Sequence, residues 1–232
     1  SFGPPRGDVE DRIELAEGWQ LASAGDVTAE GADVSRADYA GKHWHAIRRM
    51  PATVLEALQD SGTYPDLYYG KNLLDEVPQD LYKQDWWYRT SFKAPAGHTT
   101  YLLELPGINY RAEVWLNGHQ VAGKTEVVGM HNAHELDVAH WIKPGEANTL
   151  AIKVTPEQAL QDIDGVELAD SWWDWINWNY LGYQGPGKNS DRGNSFVSDR
   201  NAGIWKPVYL KVAGAVALGP AVVNTELPLP RT

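Results

Sequence analysis

Ala112-Glu113-Val114-Trp115-Leu116-Asn117-Gly118 is the stretch that decides the fold. Ala112, Val114 and Leu116 alternate with Glu113 and Trp115, the period of two that sends successive side chains to opposite faces of a strand. Asn117-Gly118 follows at once. Both residues tolerate positive φ, as a two-residue hairpin turn demands, so the strand predicts an antiparallel partner directly after it.

The same period recurs on both sides. Tyr101, Leu103 and Leu105 share one face of a strand over residues 99–105, and residues 87–92 read as another strand opening at Trp86. Leu150, Ile152 and Val154 face one way while Ala151 and Lys153 face the other. Val208, Leu210 and Val212 alternate with Tyr209 and Lys211. Residues 135–138 form a short strand, Trp19-Gln20-Leu21 opens the first, and Pro144-Gly145 marks a turn. Pro51 starts a short helix in which Val54, Leu55 and Leu58 share a face, and Gly62 ends it. Residues 1–17 read as a flexible, charged lead-in, residues 23–41 as a loop, and residues 64–72 as turns with aromatic interruptions. Short alternating strands punctuated by Gly, Pro and Asn predict an all-β, antiparallel sandwich. No repeat of roughly 20–50 residues is present.

Residues 156–200 break the pattern. A loop of that length inside a compact β domain is usually functional. It holds Trp172-Trp173-Asp174-Trp175-Ile176-Asn177-Trp178, with Asp199-Arg200-Asn201-Ala202-Gly203-Ile204-Trp205 after it. Flat indole faces beside carboxylate and amide groups suit a pyranose: the C–H face stacks and the hydroxyls are held. The same cluster also suits burial against a neighbouring domain. The chain as a whole carries 11 Trp and 11 Tyr against 3 Phe, a bias toward side chains with an apolar body and a polar handle.

Charge and composition narrow the partners. The 232 residues carry a net charge of −11, which disfavours nucleic acid and anionic membrane and suits a neutral or cationic ligand. There is no cysteine, so neither disulfides nor thiol catalysis arise, and the composition is compatible with a bacterial periplasmic or secreted protein. No stretch approaches the length of a membrane span. His131, His134 and His140 are possible metal ligands but lie in strand and loop sequence, where surface histidines are the simpler reading. Asp162-Ile163-Asp164-Gly165-Val166-Glu167 lacks the spacing of a calcium loop, and Gly182 to Lys188 lacks that of a phosphate loop. No Gly-x-Ser-x-Gly elbow occurs. No spacing selects a catalytic carboxylate pair, and Asp174 is best read as a hydrogen-bonding residue.

Five segments in order resemble the N-terminal domain of glycoside hydrolase family 2, most closely its exo-β-D-glucosaminidase and β-mannosidase branch. They are residues 51–58, residues 64–73, Trp86-Trp87-Tyr88-Arg89, residues 107–154 centred on 112–118, and Asp199-Arg200-Asn201-Ala202-Gly203-Ile204-Trp205. The resemblance spans residues 19–227 and implies a jelly-roll, galactose-binding-domain-like β-sandwich. It implies a retaining exo-β-glycosidase in which this domain packs against a (β/α)8 barrel that carries the catalytic acids, downstream of Thr232. The chain alone is then expected to hold no catalytic residue, metal or cofactor and to hydrolyse nothing.

In the mannosidase branch a Trp-Asp-Trp loop reaches the non-reducing sugar, and Trp173-Asp174-Trp175 matches that triplet. The resemblance thus assigns substrate contact to Trp173, Asp174, Trp175, Asn177, Trp178 and Asp199. Two departures stand out: about two dozen residues separate the triplet from Gly203-Ile204-Trp205, and Ile176 interrupts an Asp-Trp-Asn order. Asp199 and Arg200 equally suit a salt bridge. The expected domains are a lead-in over residues 1–17, the sandwich over 18–220, and the first residues of an Ig-like domain over 221–232. The expected partners are a β-linked amino sugar or mannoside and the Ig-like and barrel domains of the same polypeptide. A free-standing carbohydrate-binding module and a purely structural interface domain are the alternatives.

Overall fold

The computed structural model describes residues 11–70, 72–156 and 202–214. In chain order the elements are β1 (Asp11–Glu14), β2 (Gln20–Ser23), α1 (Gly31–Val34), β3 (His45–Ala46), β4 (Ala52–Thr53) and α2 (Val54–Asp60). Then come α3 (Asn72–Asp75), a 3-10 turn (Gln79–Lys83), β5 (Trp86–Lys93), β6 (Thr100–Leu105), β7 (Ile108–Asn109) and β8 (Arg111–Leu116). The last are β9 (His119–Val128), β10 (His134–Asp137), β11 (Ala147–Thr155), β12 (Gly203–Ile204) and β13 (Tyr209–Ala213). They make an antiparallel β-sandwich, as the alternation predicts. One sheet runs β3-β2-β5-β11-β8-β9, the other β1-β13-β6-β10, and a small third sheet runs β4-β12-β7.

The period of two explains the core. Across the large sheet Leu21, Tyr88, Ile152, Val114 and Ala122 stand in one cross-strand row, all essentially buried. Facing strands β6 and β13 contribute Tyr101, Leu103, Leu105, Leu210 and Val212 to the same cluster. Each large apolar side chain so buried contributes roughly 2 kcal/mol from removed surface. The outer face of the small-residue side of β11 is buried too. Ala151 lies with Ala22, Trp87, Val27 and Val34 in a second cluster, against which Trp115, Tyr39 and Trp44 pack. The cover is the chain between β2 and β3, read from sequence only as a loop. A Cβ on Gly31 would overlap the Trp115 indole, so the cover's close approach requires glycine there.

The hairpin turn is tied into this cover. Asn117 adopts φ 53° and Gly118 φ 91°. The Gly118 amide donates to Ser35 Oγ (2.9 Å), while Asn117 Nδ2 donates to Trp141 O (2.9 Å) and Asn148 Oδ1 (2.7 Å). Buried Asn148 also accepts from Lys143 N and donates to Lys143 O and Glu146 O. The buried Asn148 and half-buried Asn117 amides fix register, because an unmet polar atom at Asn148 would be costly.

Two local expectations change. Residues 11–14 fall inside the expected lead-in, yet they form β1 and pair with β13 through Arg12↔Lys211 and Ile13↔Leu210. All four side chains are exposed, so no apolar alternation betrays the strand; Arg12 instead binds Glu104 through two bonds of 2.7 and 3.0 Å. The helix begins at Val54, not Pro51, because Ala52 and Thr53 pair with β12 and Thr53 Oγ1 caps the helix at Glu56 N (3.2 Å).

Candidate functional site

Trp173, Asp174, Trp175, Asn177, Trp178 and Asp199 all lie outside the described residues. What is described is the frame on either side of residues 157–201. On one side β11 ends at Thr155, which pairs with Arg111, and its carbonyl accepts from Tyr110 N at 3.2 Å. On the other side Ala202 O accepts from Val54 N at 2.8 Å, and β12 pairs with both β4 and β7. β7 immediately precedes Tyr110, so both flanks are pinned to the same end of the sandwich.

Gly203 shows why the Gly-Ile-Trp sequence folds as it does. Its φ is 121°, and a Cβ would collide with Tyr88 Oη and lie 3.0 Å from Val54 N. The buried Tyr88 hydroxyl meanwhile donates to Ala52 O at 3.1 Å. Only glycine lets β12 thread between the core tyrosine and the start of α2. Ile204 enters the core, and Trp205 turns outward, half-buried.

An aromatic and cationic cluster surrounds that indole. Trp205 Nε1 donates to Met130 O (3.1 Å), His131 stands edge-on at 5.5 Å, and Lys206 Nζ lies 4.6 Å from the ring centre. Gly107 packs beneath it: a Cβ there would come within 2.9 Å of the ring. Nearby, Arg111 sits 5.4 Å over Tyr110. Among the described residues neither Arg111 nor Lys206 has a carboxylate within ion-pair distance. Both groups only donate hydrogen bonds, so this edge offers donors to hydroxyl or carboxylate oxygens beside aromatic faces. Arg111, Tyr110 and Lys206 were not singled out by sequence reasoning; their signal was position, next to the hairpin strand and the Gly-Ile-Trp sequence.

Among the described residues the three histidines weighed as metal ligands are not gathered into one cluster. His131 is at Trp205, His140 packs edge-on to Trp141 at 5.6 Å, and His134 lies in β10 with Nε2 buried, so it is not a plain surface histidine.

A separate cleft of about 460 Å³ opens at the opposite end, between the α1 region and the β8–β9 turn. Arg36, Asp38, Asn117, His119 and Lys143 line it. Arg36 donates to Asp38 at 3.2 Å and holds that carboxyl below the usual range. No Trp, Tyr or Phe lines the cleft, so it lacks the flat apolar face a pyranose stacks on.

Residues 19–183 match the model of the family described as glycosyl hydrolase 2 galactose-binding domain-like. The chain is 30% identical to an exo-β-D-glucosaminidase of Streptomyces avermitilis over 92% of its length, covering 21% of that protein. It is 28% identical to a mannosylglycoprotein endo-β-mannosidase of Lilium longiflorum, covering 73% of this chain and 17% of the relative. Among solved structures, the exo-chitosanase of Amycolatopsis orientalis superposes with a TM-score of 0.68 at 26% identity, over 89% of this chain and 21% of that one. The chain thus spans about a fifth of the length of these relatives.

Proposed function

The chain belongs to the glycosyl hydrolase 2 galactose-binding domain-like family, and from that premise we propose that it is the accessory domain of a retaining exo-β-glycosidase acting on a β-linked amino sugar. In this reading residues 157–201 help form the subsite for the non-reducing sugar. Asp174 and Asn177 hydrogen-bond its hydroxyls, and Trp173, Trp175 and Trp178 provide stacking faces, with Asp199 beside them. The catalytic acids belong to a barrel domain elsewhere in the polypeptide, and the chain alone is inactive. We place the sandwich boundary near residue 220, with residues 221–232 beginning an Ig-like domain.

The observation that carries the reading is the frame. Both flanks of the Trp-rich segment are hydrogen-bonded into one end of a sandwich whose Gly203 and Ile204 are fixed by packing. A segment rooted on rigid strands can hold side chains toward a ligand with less ordering loss than a free linker. The choice of amino sugar is favoured by the names of the relatives and by the net charge of −11, which attracts a protonated sugar amine.

The test is hydrolysis of a panel of aryl β-glycosides by the full-length polypeptide, run beside the 232-residue chain. The expected result is release from the β-glucosaminide by the full-length protein alone. Release by the 232-residue chain would contradict the accessory role, and release only from another sugar would contradict the amino-sugar assignment.

A further inference from the structure

The edge strand β3 lies in a stretch of this acidic chain that collects cations without acids. Residues 42–49 hold Lys42, Arg48 and Arg49, with His43 and His45 between them and no Asp or Glu, in a chain of net charge −11. Lys42, His43, Arg48 and Arg49 are exposed. Among the described residues neither Lys42, Arg48 nor Arg49 has a carboxylate within ion-pair distance. Helix α2 packs beside β3, yet its Glu56 and Asp60 make no ion pair with them either. Local pairing therefore does not account for these cations.

The backbone that presents them is fixed from beneath. Trp44 packs against the cluster on the outer face of the large sheet and meets Tyr39 edge-on at 6.3 Å. Ile47 and Met50 are buried in the main core. The Ile47 amide donates to Trp19 O at 2.9 Å, and β3 pairs with β2 through His45↔Leu21 and Ala46↔Gln20. The other side of β3 has no strand among the described residues. Lys42 at one end and Arg48 with Arg49 at the other thus stand roughly 15–20 Å apart along an extended edge. That span exceeds one small anion and suits a linear chain of anionic groups. A backbone already held in place spares part of the ordering cost of binding it.

The character of the surface selects among polyanions. No large hydrophobic side chain is exposed in residues 42–49, so bases find no stacking face and a lipid layer no insertion point. The same lack denies a protein partner the apolar centre on which interfaces are built. Duplex nucleic acid, with one charge per about 1.7 Å of axis, is repelled by the −11 of the whole chain. A polysaccharide with one anionic group per sugar or fewer is repelled less. Its carboxylate or sulfate groups also match the planar fork of an arginine.

We infer that residues 42–49 bind a linear anionic polysaccharide, whose carboxylate or sulfate groups are held by Lys42, Arg48 and Arg49. This ligand is opposite in charge to the amino sugar proposed for residues 157–201, and β2 and β5 separate β3 from β11. The edge therefore tethers the protein to an acidic polymer and presents no bond for cleavage.

The experiment is a chemical footprint of the full-length polypeptide. Lysine acetylation and arginine modification by phenylglyoxal are located by peptide mass mapping. They are run alone and with polygalacturonate, dextran sulfate, neutral dextran or single-stranded DNA. Lys42, Arg48 and Arg49 are expected to react about tenfold more slowly at saturating anionic polysaccharide, since only the unbound fraction reacts. Neutral dextran is expected to change nothing, and the exposed Lys93 and Lys124 to keep their rates throughout. Protection by only one of the two anionic polymers identifies carboxylate or sulfate as the group held. A Lys42→Gln, Arg48→Gln, Arg49→Gln variant is expected to lose about tenfold in affinity for that polymer at low salt. A Lys93→Gln, Lys124→Gln, Lys143→Gln variant removes the same charge elsewhere and is expected to lose less than about twofold. Rates at Lys42, Arg48 and Arg49 that ignore both anionic polymers would overturn the inference, whether or not the variants fold. Equal protection of every exposed lysine, or a segment already unreactive in the polypeptide alone, would do the same. Stronger protection by single-stranded DNA would overturn it in favour of nucleic acid.

Discussion

At the scale of single residues, glycines and amides fix positions that the apolar pattern alone does not specify. Gly203 is the clearest case, since positive φ and the Tyr88 hydroxyl both exclude a side chain. Gly203→Ala is expected to destabilise the 232-residue chain by about 2 kcal/mol or more, read as a lower urea midpoint with an unchanged slope. An unaltered midpoint would mean that β12 does not sit between Tyr88 and Val54. Sequence reading found this position as part of a motif but not its physical cause, because the colliding hydroxyl is 115 residues away along the chain. It likewise saw Asn117 as a turn residue and missed its bonds to Asn148 and Trp141, which only tertiary proximity creates. For the candidate site, Trp205 was visible through its motif, while Arg111 and Tyr110 were ordinary strand neighbours until β7 and β12 brought them together.

At the scale of elements, alternation was legible wherever one face is core and the other open. Strands β6 and β8 show strict buried and half-buried alternation, and the turn chemistry after β8 specified its partner. The strand β1 was illegible because its pairing rests on backbone bonds and on Arg12–Glu104, not on apolar burial. The cover over residues 24–44 was legible as irregular chain but not as a packing layer. It is held by Arg89, whose Nε donates to Val34 O and whose second nitrogen donates to Arg36 O, each at 2.9 Å. Half-burial of that guanidinium lowers its pKa, yet the group remains charged at neutral pH. Removing it takes the side-chain donor from Val34 O and leaves Arg36 O with the Tyr39 amide at 3.3 Å. Arg89→Ala is expected to cost about 1–3 kcal/mol and to speed amide exchange in residues 31–36 ahead of the core strands, as hydrogen exchange with mass spectrometry would record. Uniform exchange across sheet and cover would show that the segment is held by packing alone.

At the scale of the whole molecule, the sandwich is a platform with two distinct ends. One end carries the tight β8–β9 turn and a polar cleft, and the other roots both flanks of residues 157–201. The placement of the long segment between β11 and β12 was legible in the sequence, since the alternation stops after Thr155 and resumes beyond Trp205. The roles proposed for Trp173, Asp174 and Trp175 rest on residue chemistry and on family membership, and the proposal is tested in the full-length polypeptide. The most direct test is therefore kcat/KM of full-length wild-type and Asp174→Ala proteins on the aryl β-glycoside that the wild type cleaves. Loss of a carboxylate that holds sugar hydroxyls is expected to lower kcat/KM by roughly 10- to 100-fold with the fold intact by circular dichroism. An unchanged kcat/KM would contradict the proposal that this domain shapes the sugar subsite.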